Sequence, residues 1–145
     1  MSVKHPLQIG DVARADFRTS LQSDSENSRI QKACVFMFRY QPARLAIALS
    51  LSDVSPPAPS ELGGKPIKGD TLFGQDEADI TYWIALLVQH SSIPEISRRE
   101  FQECVAAHWA RGIALINNIV QDDNVQIETL IAQLMQSSFS EGKRI

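Results

Sequence analysis

The most constraining feature of this chain is an apolar run, RLAIALSL, from Arg44 to Leu51. One cation opens the run, and a serine is its only other polar residue. Pro42 stands just before it, where a proline ends the preceding helix and suits the first turn of the next, because its missing N–H is not needed there. The pattern therefore predicts a helix from Ala43 to Ser52 that is buried on nearly every side, with Arg44 at its entry.

Apolar residues recur at helical spacing along most of the chain, which predicts a mainly α fold. Before the central helix we expect a short extended strand at His5–Gly10, a helix from Asp11 to about Leu21, and another from Ser28 to Arg39, with a polar interruption over residues 22–28. After it, the spacing predicts helices over about 80–88, 101–120 and 130–135.

The composition changes between Asp53 and Asp79, where four prolines and four glycines fall within 27 residues. Apolar residues such as Leu72 and Phe73 can hold this segment against the body, so we expect a long ordered loop over 53–79. The length of 145 residues and the 43% apolar content suit a single domain over 1–145, with a flexible tail at 137–145.

No apolar run is long enough to span a bilayer, and the first twenty residues contain no apolar stretch like that of a signal peptide. We therefore expect a cytoplasmic protein with no membrane partner. Cys34 and Cys104 have neither the spacing of a zinc site nor that of a disulfide framework, which predicts two buried thiols.

Charge is distributed unevenly along the chain. The net charge of −3 divides into +3 for residues 1–68 and −6 for residues 69–145. The segment from Asn27 to Ser52 contains four cations and no acid. If these cations share a face, that face can bind phosphate; if they are separately solvated, they carry no site. The first candidate DNA-binding set is Arg29, Lys32, Arg39 and Arg44, and the second is Arg14, Arg18, Lys65 and Lys68.

Motifs for catalysis are weak. The tetrapeptide Asp76–Asp79 spells a helicase DEAD box, but Gly63–Thr71 does not supply the phosphate-binding loop that such enzymes need. We interpret these acids as the first turn of a helix, where the helix dipole favours negative charge. The three histidines are scattered and lack an i, i+4 partner, so the sequence predicts no catalytic residue, no cofactor and no metal site.

Gly112 lies within a helical pattern, where glycine costs about 1 kcal/mol relative to alanine. Something must offset this cost. We expect another backbone, from the long loop or from a neighbouring subunit, to pack closely against Gly112.

Four segments of the chain stand out together: Arg44–Leu51, Leu72-Phe-Gly74, the helix from Tyr82 to His90, and His108-Trp-Ala-Arg-Gly112. Their order and spacing resemble those of the DNA sulfur modification protein DndE family. The resemblance extends over about Ala43 to Val120. It implies a mainly α protein: a short N-terminal strand, with a ribbon-helix-helix-like start, followed by a compact helical bundle with a long Pro/Gly-rich loop.

The same resemblance implies a DNA-binding component of the phosphorothioation machinery, which replaces a non-bridging phosphate oxygen of DNA by sulfur. It implies a homotetramer that binds duplex DNA with preference for nicks, and partners that include a cysteine desulfurase and the other modification proteins. Two alternatives stay open. One is a Mg²⁺-dependent enzyme that nicks DNA within the same machinery, and the weaker one is a ribbon-helix-helix transcriptional regulator.

Overall fold

A computed structural model describes residues 6–120 and 126–142. In chain order the elements are α1 (Ile9–Arg14), β1 (Asp16–Phe17), α2 (Leu21–Ala33), α3 (Tyr40–Leu51), β2 (Ile67–Lys68), α4 (Gly69–Leu72), α5 (Glu77–Ser91), α6 (Arg98–Ile119) and α7 (Ile127–Gly142). The predicted fold class is confirmed: a mainly helical bundle with one short two-stranded sheet. In the described residues no helix is both long and apolar enough to cross a membrane.

The contact between α3 and α6 lies at the centre of the bundle. Ala43, Ala46, Ile47 and Ser50 recur at helical spacing on one buried face of α3. Gly112 of α6 lies directly against this face, and a Cβ at Gly112 would overlap the backbone of Ala46, including its carbonyl oxygen. The predicted close approach at Gly112 is therefore confirmed, but its expected source is wrong, because the backbone that approaches belongs to α3 and not to the long loop or a neighbouring subunit.

A smaller part of the surface of α3 is buried than the apolar run predicts. Ala48 is exposed, while Leu45 and Leu49 are only partly buried against the core. In a bundle of this size the neighbours of α3 cover one broad face and part of its flanks. The prediction that this helix is buried on nearly every side is therefore only partly right.

The N-terminal strand does not lie where the sequence predicted it. Residues 6–8 are irregular and α1 begins at Ile9, whereas β1 is Asp16–Phe17 and pairs antiparallel with β2. The helix expected from Asp11 to about Leu21 likewise ends at Arg14. Phe17 explains the difference, because its buried ring packs edge-on against Phe73 at 5.3 Å between centroids. The antiparallel pairing with β2 keeps the chain extended at this point.

Helix α2 begins earlier and ends earlier than predicted. The polar stretch 22–28, expected to interrupt the helical pattern, lies within α2, and the helix ends at Ala33 instead of Arg39. The Ser20 hydroxyl caps the helix by accepting a hydrogen bond from the Ser23 N–H at 3.0 Å. Ser23 and Asn27 are buried despite their polarity. A search for apolar periodicity therefore finds only the second half of this helix.

The Pro/Gly-rich segment contains regular structure of its own, namely β2 and α4. Helix α5 begins at Glu77, and the Asp76 carboxylate accepts a hydrogen bond from the Ala78 N–H at 2.9 Å. The interpretation of these acids as a helix start is confirmed. Helix α7 continues to Gly142, so part of the predicted tail at 137–145 is helical. Its flexibility stays a prediction, and residues 143–145 lie outside the described residues.

The contact at Gly112 predicts whether an alanine at this position raises or lowers the free energy of unfolding. In a free helix Gly112→Ala would stabilise by about 1 kcal/mol. Here the added Cβ meets the Ala46 backbone, which cannot move without separating α3 from α6, so we expect a net loss of about 3 kcal/mol in the free energy of unfolding. Denaturant unfolding measures the change.

Gly10→Ala in α1 is the matched control, because its Cβ would meet only the flexible end of the Arg14 side chain. We expect that variant to unfold within about 1 kcal/mol of the parent protein. A Gly112→Ala protein that is as stable as the parent would contradict the close packing of the two backbones.

Candidate nucleic-acid interface

Two of the predicted DNA-binding arginines are bound to helix ends. Arg29 donates to the Asn117 Oδ1 atom and to the carbonyl oxygen of Val120, both at 2.8 Å, at the C-terminal end of α6. Arg44 donates to the carbonyl oxygens of Leu72 at 2.7 Å and Thr71 at 3.1 Å, in α4. A cation is favourable at such positions, because unpaired carbonyls concentrate there. Both arginines therefore have a structural role within the fold.

Arg39 connects three separate parts of the chain. Its Nη2 atom lies 2.7 Å from the Asp24 carboxylate of α2, in a pair that is largely shielded from solvent. The same guanidinium donates to the carbonyl oxygens of Lys65 at 3.3 Å and Pro66 at 3.4 Å. The second oxygen of Asp24 accepts the Lys65 N–H at 3.1 Å. This ion pair thus fixes the loop before β2 against α2.

Gly64 allows the same loop to reach the start of α2. Its N–H donates to the carbonyl oxygen of Thr19 at 2.8 Å. A Cβ at this position would lie only 2.9 Å from both the Thr19 oxygen and the Asp24 Cβ atom. Only glycine fits this position without displacing backbone.

The docked loop gathers cations that are far apart in the sequence. Arg18 donates to the Gly64 carbonyl oxygen at 3.0 Å, Lys65 is exposed one residue later, and Lys68 is exposed on β2. Together with Arg39, they form what we term the loop cation group: Arg18, Arg39, Lys65 and Lys68. It draws one member from the first predicted set and three from the second.

The other predicted cations lie outside this group. Arg14 is exposed at the end of α1, and Lys32 is exposed in the last turn of α2. The proposed common face of Arg29, Lys32, Arg39 and Arg44 is thus divided by the structure: two members stabilise helix ends, one holds the loop, and Lys32 extends into solvent.

A second polar cluster, which the sequence did not predict, surrounds His108. Its Nδ1 atom lies 2.7 Å from the buried Ser50 hydroxyl, and its ring meets the His90 ring edge-on at 4.6 Å. Arg111 donates to the Ser50 hydroxyl and carbonyl oxygens, both at 2.7 Å, and reaches the Asp53 carboxylate at 3.5 Å. Two histidines that looked scattered in the sequence are therefore neighbours.

The Ser50 hydroxyl lies between the two side chains. Its oxygen accepts the Arg111 Nε–H, and its O–H is able to donate to His108 Nδ1 when the neutral ring carries its proton on Nε2. That Nε2 atom has no partner among the described residues. Burial, and then the nearby charges of His90 and Arg111, lower the pKa of His108 to about 4.

Cys104 lies near this cluster, one turn before His108 in α6. Burial raises the pKa of the nearby Cys104 thiol to about 11, so the thiol stays protonated near neutrality. Cys34 and Cys104 are both free, Cys34 being buried and Cys104 half-buried. In the part of the chain that the structure describes, no three His, Cys, Asp or Glu side chains are grouped to hold a metal ion.

The low pKa of His108 predicts a stability loss in acid. Between about pH 6.5 and 4 the unfolded chain binds a proton that the folded ring does not, so stability falls as pH falls. The contribution of His108 approaches about 1.4 kcal/mol per pH unit within that window and is constant below it. Denaturant unfolding at a series of pH values measures it.

His108→Asn keeps a side-chain acceptor near Ser50 and removes the titrating group. We expect the stability difference between this variant and the parent protein to shrink steadily from about pH 7 to pH 4. A difference that stays constant across the window would contradict the assigned neutral, buried histidine.

The sequence matches a known protein family. A family model described as DNA sulphur modification protein DndE matches residues 16–123, from β1 to just beyond α6. A search of curated proteins found no match. The family match covers most of the chain and includes all four segments on which the resemblance was based. The chain therefore belongs to the DndE family, whose role is in DNA sulfur modification.

Proposed function

We propose that this protein is the DNA-binding component of the phosphorothioation machinery, and that it holds duplex DNA through phosphate contacts with preference for nicked DNA. Family membership supports the setting of DNA sulfur modification. The observation that carries the proposal is the loop cation group, in which cations from the two candidate sets lie around one docked loop.

The members of this group have different roles. Arg39 is paired with Asp24, so it neutralises one acid that contacts the loop, whereas Glu61 is an exposed acid of the loop itself. Arg18, Lys65 and Lys68 are exposed and available to phosphate oxygens. Lysine ammonium groups on flexible stems bind phosphates as point charges without reading base edges. We therefore expect affinity that varies strongly with salt and little with sequence.

The preference for nicks follows from the resemblance and has a physical basis in DNA flexibility. A protein that bends or locally distorts a duplex must supply the deformation energy. A break in one strand lowers that energy at one step, so the same phosphate contacts are made at lower cost.

The remaining parts of the proposal concern partners. We propose that several copies assemble, as the resemblance to a homotetrameric family implies, and that a cysteine desulfurase and the other modification proteins associate with the complex. Residues 69–145 carry a net charge of −6, and we propose that their acids contact the partner proteins and not DNA. DNA and partner proteins then use different surfaces.

Two alternatives differ from this proposal in testable ways. A nicking enzyme would relax supercoiled plasmid in the presence of Mg²⁺, and we expect no relaxation. A ribbon-helix-helix regulator would pair its N-terminal strand with that of a second copy. Here β1 pairs with β2 of the same chain, which gives that alternative no support.

A pair of charge-matched variants tests the proposed phosphate site. Lys65→Gln with Lys68→Gln removes two exposed cations of the loop cation group. We expect weaker binding to nicked and intact duplexes of any sequence, and a fall of about 1.8 in the slope of log K against log salt, if each lysine contacts one phosphate. Fluorescence anisotropy titrations at several salt concentrations measure both effects.

The control is Arg98→Gln with Arg99→Gln, which removes the same charge from the exposed start of α6. Arg99 pairs with Glu103, but that pair is exposed and contributes little to stability. We expect this control to bind DNA nearly as the parent protein does. Equal losses in the two double variants would show that net charge alone matters, and a loss that depends on sequence would indicate base reading.

A further inference from the structure

The turn between α2 and α3 exposes three large apolar side chains. Val35 and Met37 are each 76% exposed and Phe38 is 50% exposed. We term these three residues the apolar tip. Single exposed apolar residues are ordinary on protein surfaces, but three within four positions form a local patch that calls for an explanation.

The apolar tip is held in place by hydrogen bonds on both sides. The Phe36 N–H donates to the Gln31 carbonyl oxygen at 2.9 Å, and the Phe38 N–H donates to the Gln41 Oε1 atom at 3.0 Å. Val35 adopts a left-handed backbone, with φ of 58°, which is unfavourable for a β-branched residue. A turn that maintains this conformation while exposing its side chains is pre-organised for a contact outside the chain.

Phe38 is the outer member of an aromatic stack. Its ring lies nearly parallel to that of Tyr40, at 5.6 Å between centroids and 12° between planes. The Arg44 guanidinium lies 4.8 Å from the centre of the Tyr40 ring and is itself bonded to α4. The stack is thus supported from the core outward, and it ends in a ring that is half open to solvent.

The segment that carries the apolar tip contains cations and no acid. Lys32 precedes the tip and is exposed, Arg39 follows it and is paired with Asp24, and the chain carries no acid between Asn27 and Ser52. A nucleic acid combines the two properties that this surface complements, since its phosphates are anionic and its bases present flat apolar faces. A second copy of this chain would bring the same cations together, and the repulsion would oppose association.

We propose that the apolar tip contacts the base step at the break in a nicked duplex, with Phe38 stacking on a base that the break leaves free to unstack. This inference rests on the proposed function and deepens it, because it assigns the nick preference to particular side chains. In an intact duplex the bases remain stacked, and only the phosphate contacts are made. Insertion of apolar side chains at an opened step is a known way of recognising deformable DNA.

The test compares nicked and intact duplexes of one sequence. Phe38→Ala should lower the affinity for nicked DNA about tenfold or more, as expected for the loss of one base–aromatic contact, and change the affinity for intact DNA less than twofold. The salt slope should stay unchanged, because no phosphate contact is lost. A 2-aminopurine placed beside the nick should change its fluorescence on binding to the parent protein and not on binding to Phe38→Ala.

Phe38→Trp keeps a stacking ring and should retain the preference for nicked DNA. Tyr82→Ala is the matched control, since Tyr82 is an aromatic residue that is 73% exposed on α5, in the acidic half of the chain. Thermal melts of all variants should match that of the parent protein. If Phe38→Ala is poorly folded, Met37→Gln tests the apolar tip at a more exposed position.

Three results would overturn the inference. Equal losses on nicked and intact DNA would show that the tip does not sense the break. A smaller assembly in sedimentation for Phe38→Ala would show that the apolar tip joins copies of the chain. Absence of salt-dependent binding by the parent protein would refute the proposed function itself, and so is distinguishable from the first two.

Discussion

The rest of the structure depends on the contact between Gly112 and Ala46, where the backbones of α6 and α3 meet without a side chain between them. This approach brings Ser50 of α3 within hydrogen-bond distance of His108 and Arg111 of α6. Arg111 then binds the turn that leaves α3, where the Pro/Gly-rich segment begins. The absence of a side chain at Gly112 thus permits the hydrogen bonds that hold the end of α3 and the start of the longest connection against α6.

Buried hydrogen bonds fix the position of α2 relative to α6. Asn27 accepts the Trp109 indole N–H at 3.1 Å and donates to the Arg39 carbonyl oxygen at 3.1 Å, and the Thr19 hydroxyl donates to the Ala106 carbonyl oxygen at 3.1 Å. Leaving a buried polar group without a partner destabilises the fold by more than a hydrogen bond stabilises it. Any other register of α2 against α6 would break these hydrogen bonds, so they specify the observed one. The position of α2 in turn orients Asp24, and with it Arg39 and the docked loop.

The distribution of charge is more informative than its sum. The chain is acidic overall, yet at physiological ionic strength a phosphate responds mainly to charges within about 8 Å. The loop cation group and the turn between α2 and α3 both lie near Arg39, which donates to the loop and forms the end of the turn. The exposed lysines near Arg39 are thus a local positive charge within a chain that is acidic overall.

The sequence by itself determined the helical class, the helices α3, α5, α6 and α7, the first turn at Asp76–Asp79, the special role of Gly112 and the family, because these depend on local periodicity, capping and the order of motifs. Only the tertiary structure decided the extent of α2, the place of β1, the proximity of the histidines and the separation of Arg29 and Arg44 from the exposed cations. The reason is physical: Asn27 and Ser23 look like surface residues until Trp109 and the helix cap are present, and an arginine looks free until a distant helix end supplies its carbonyl oxygens. Periodicity records which residues share a face, whereas hydrogen-bond partners far apart in the chain are created only by folding.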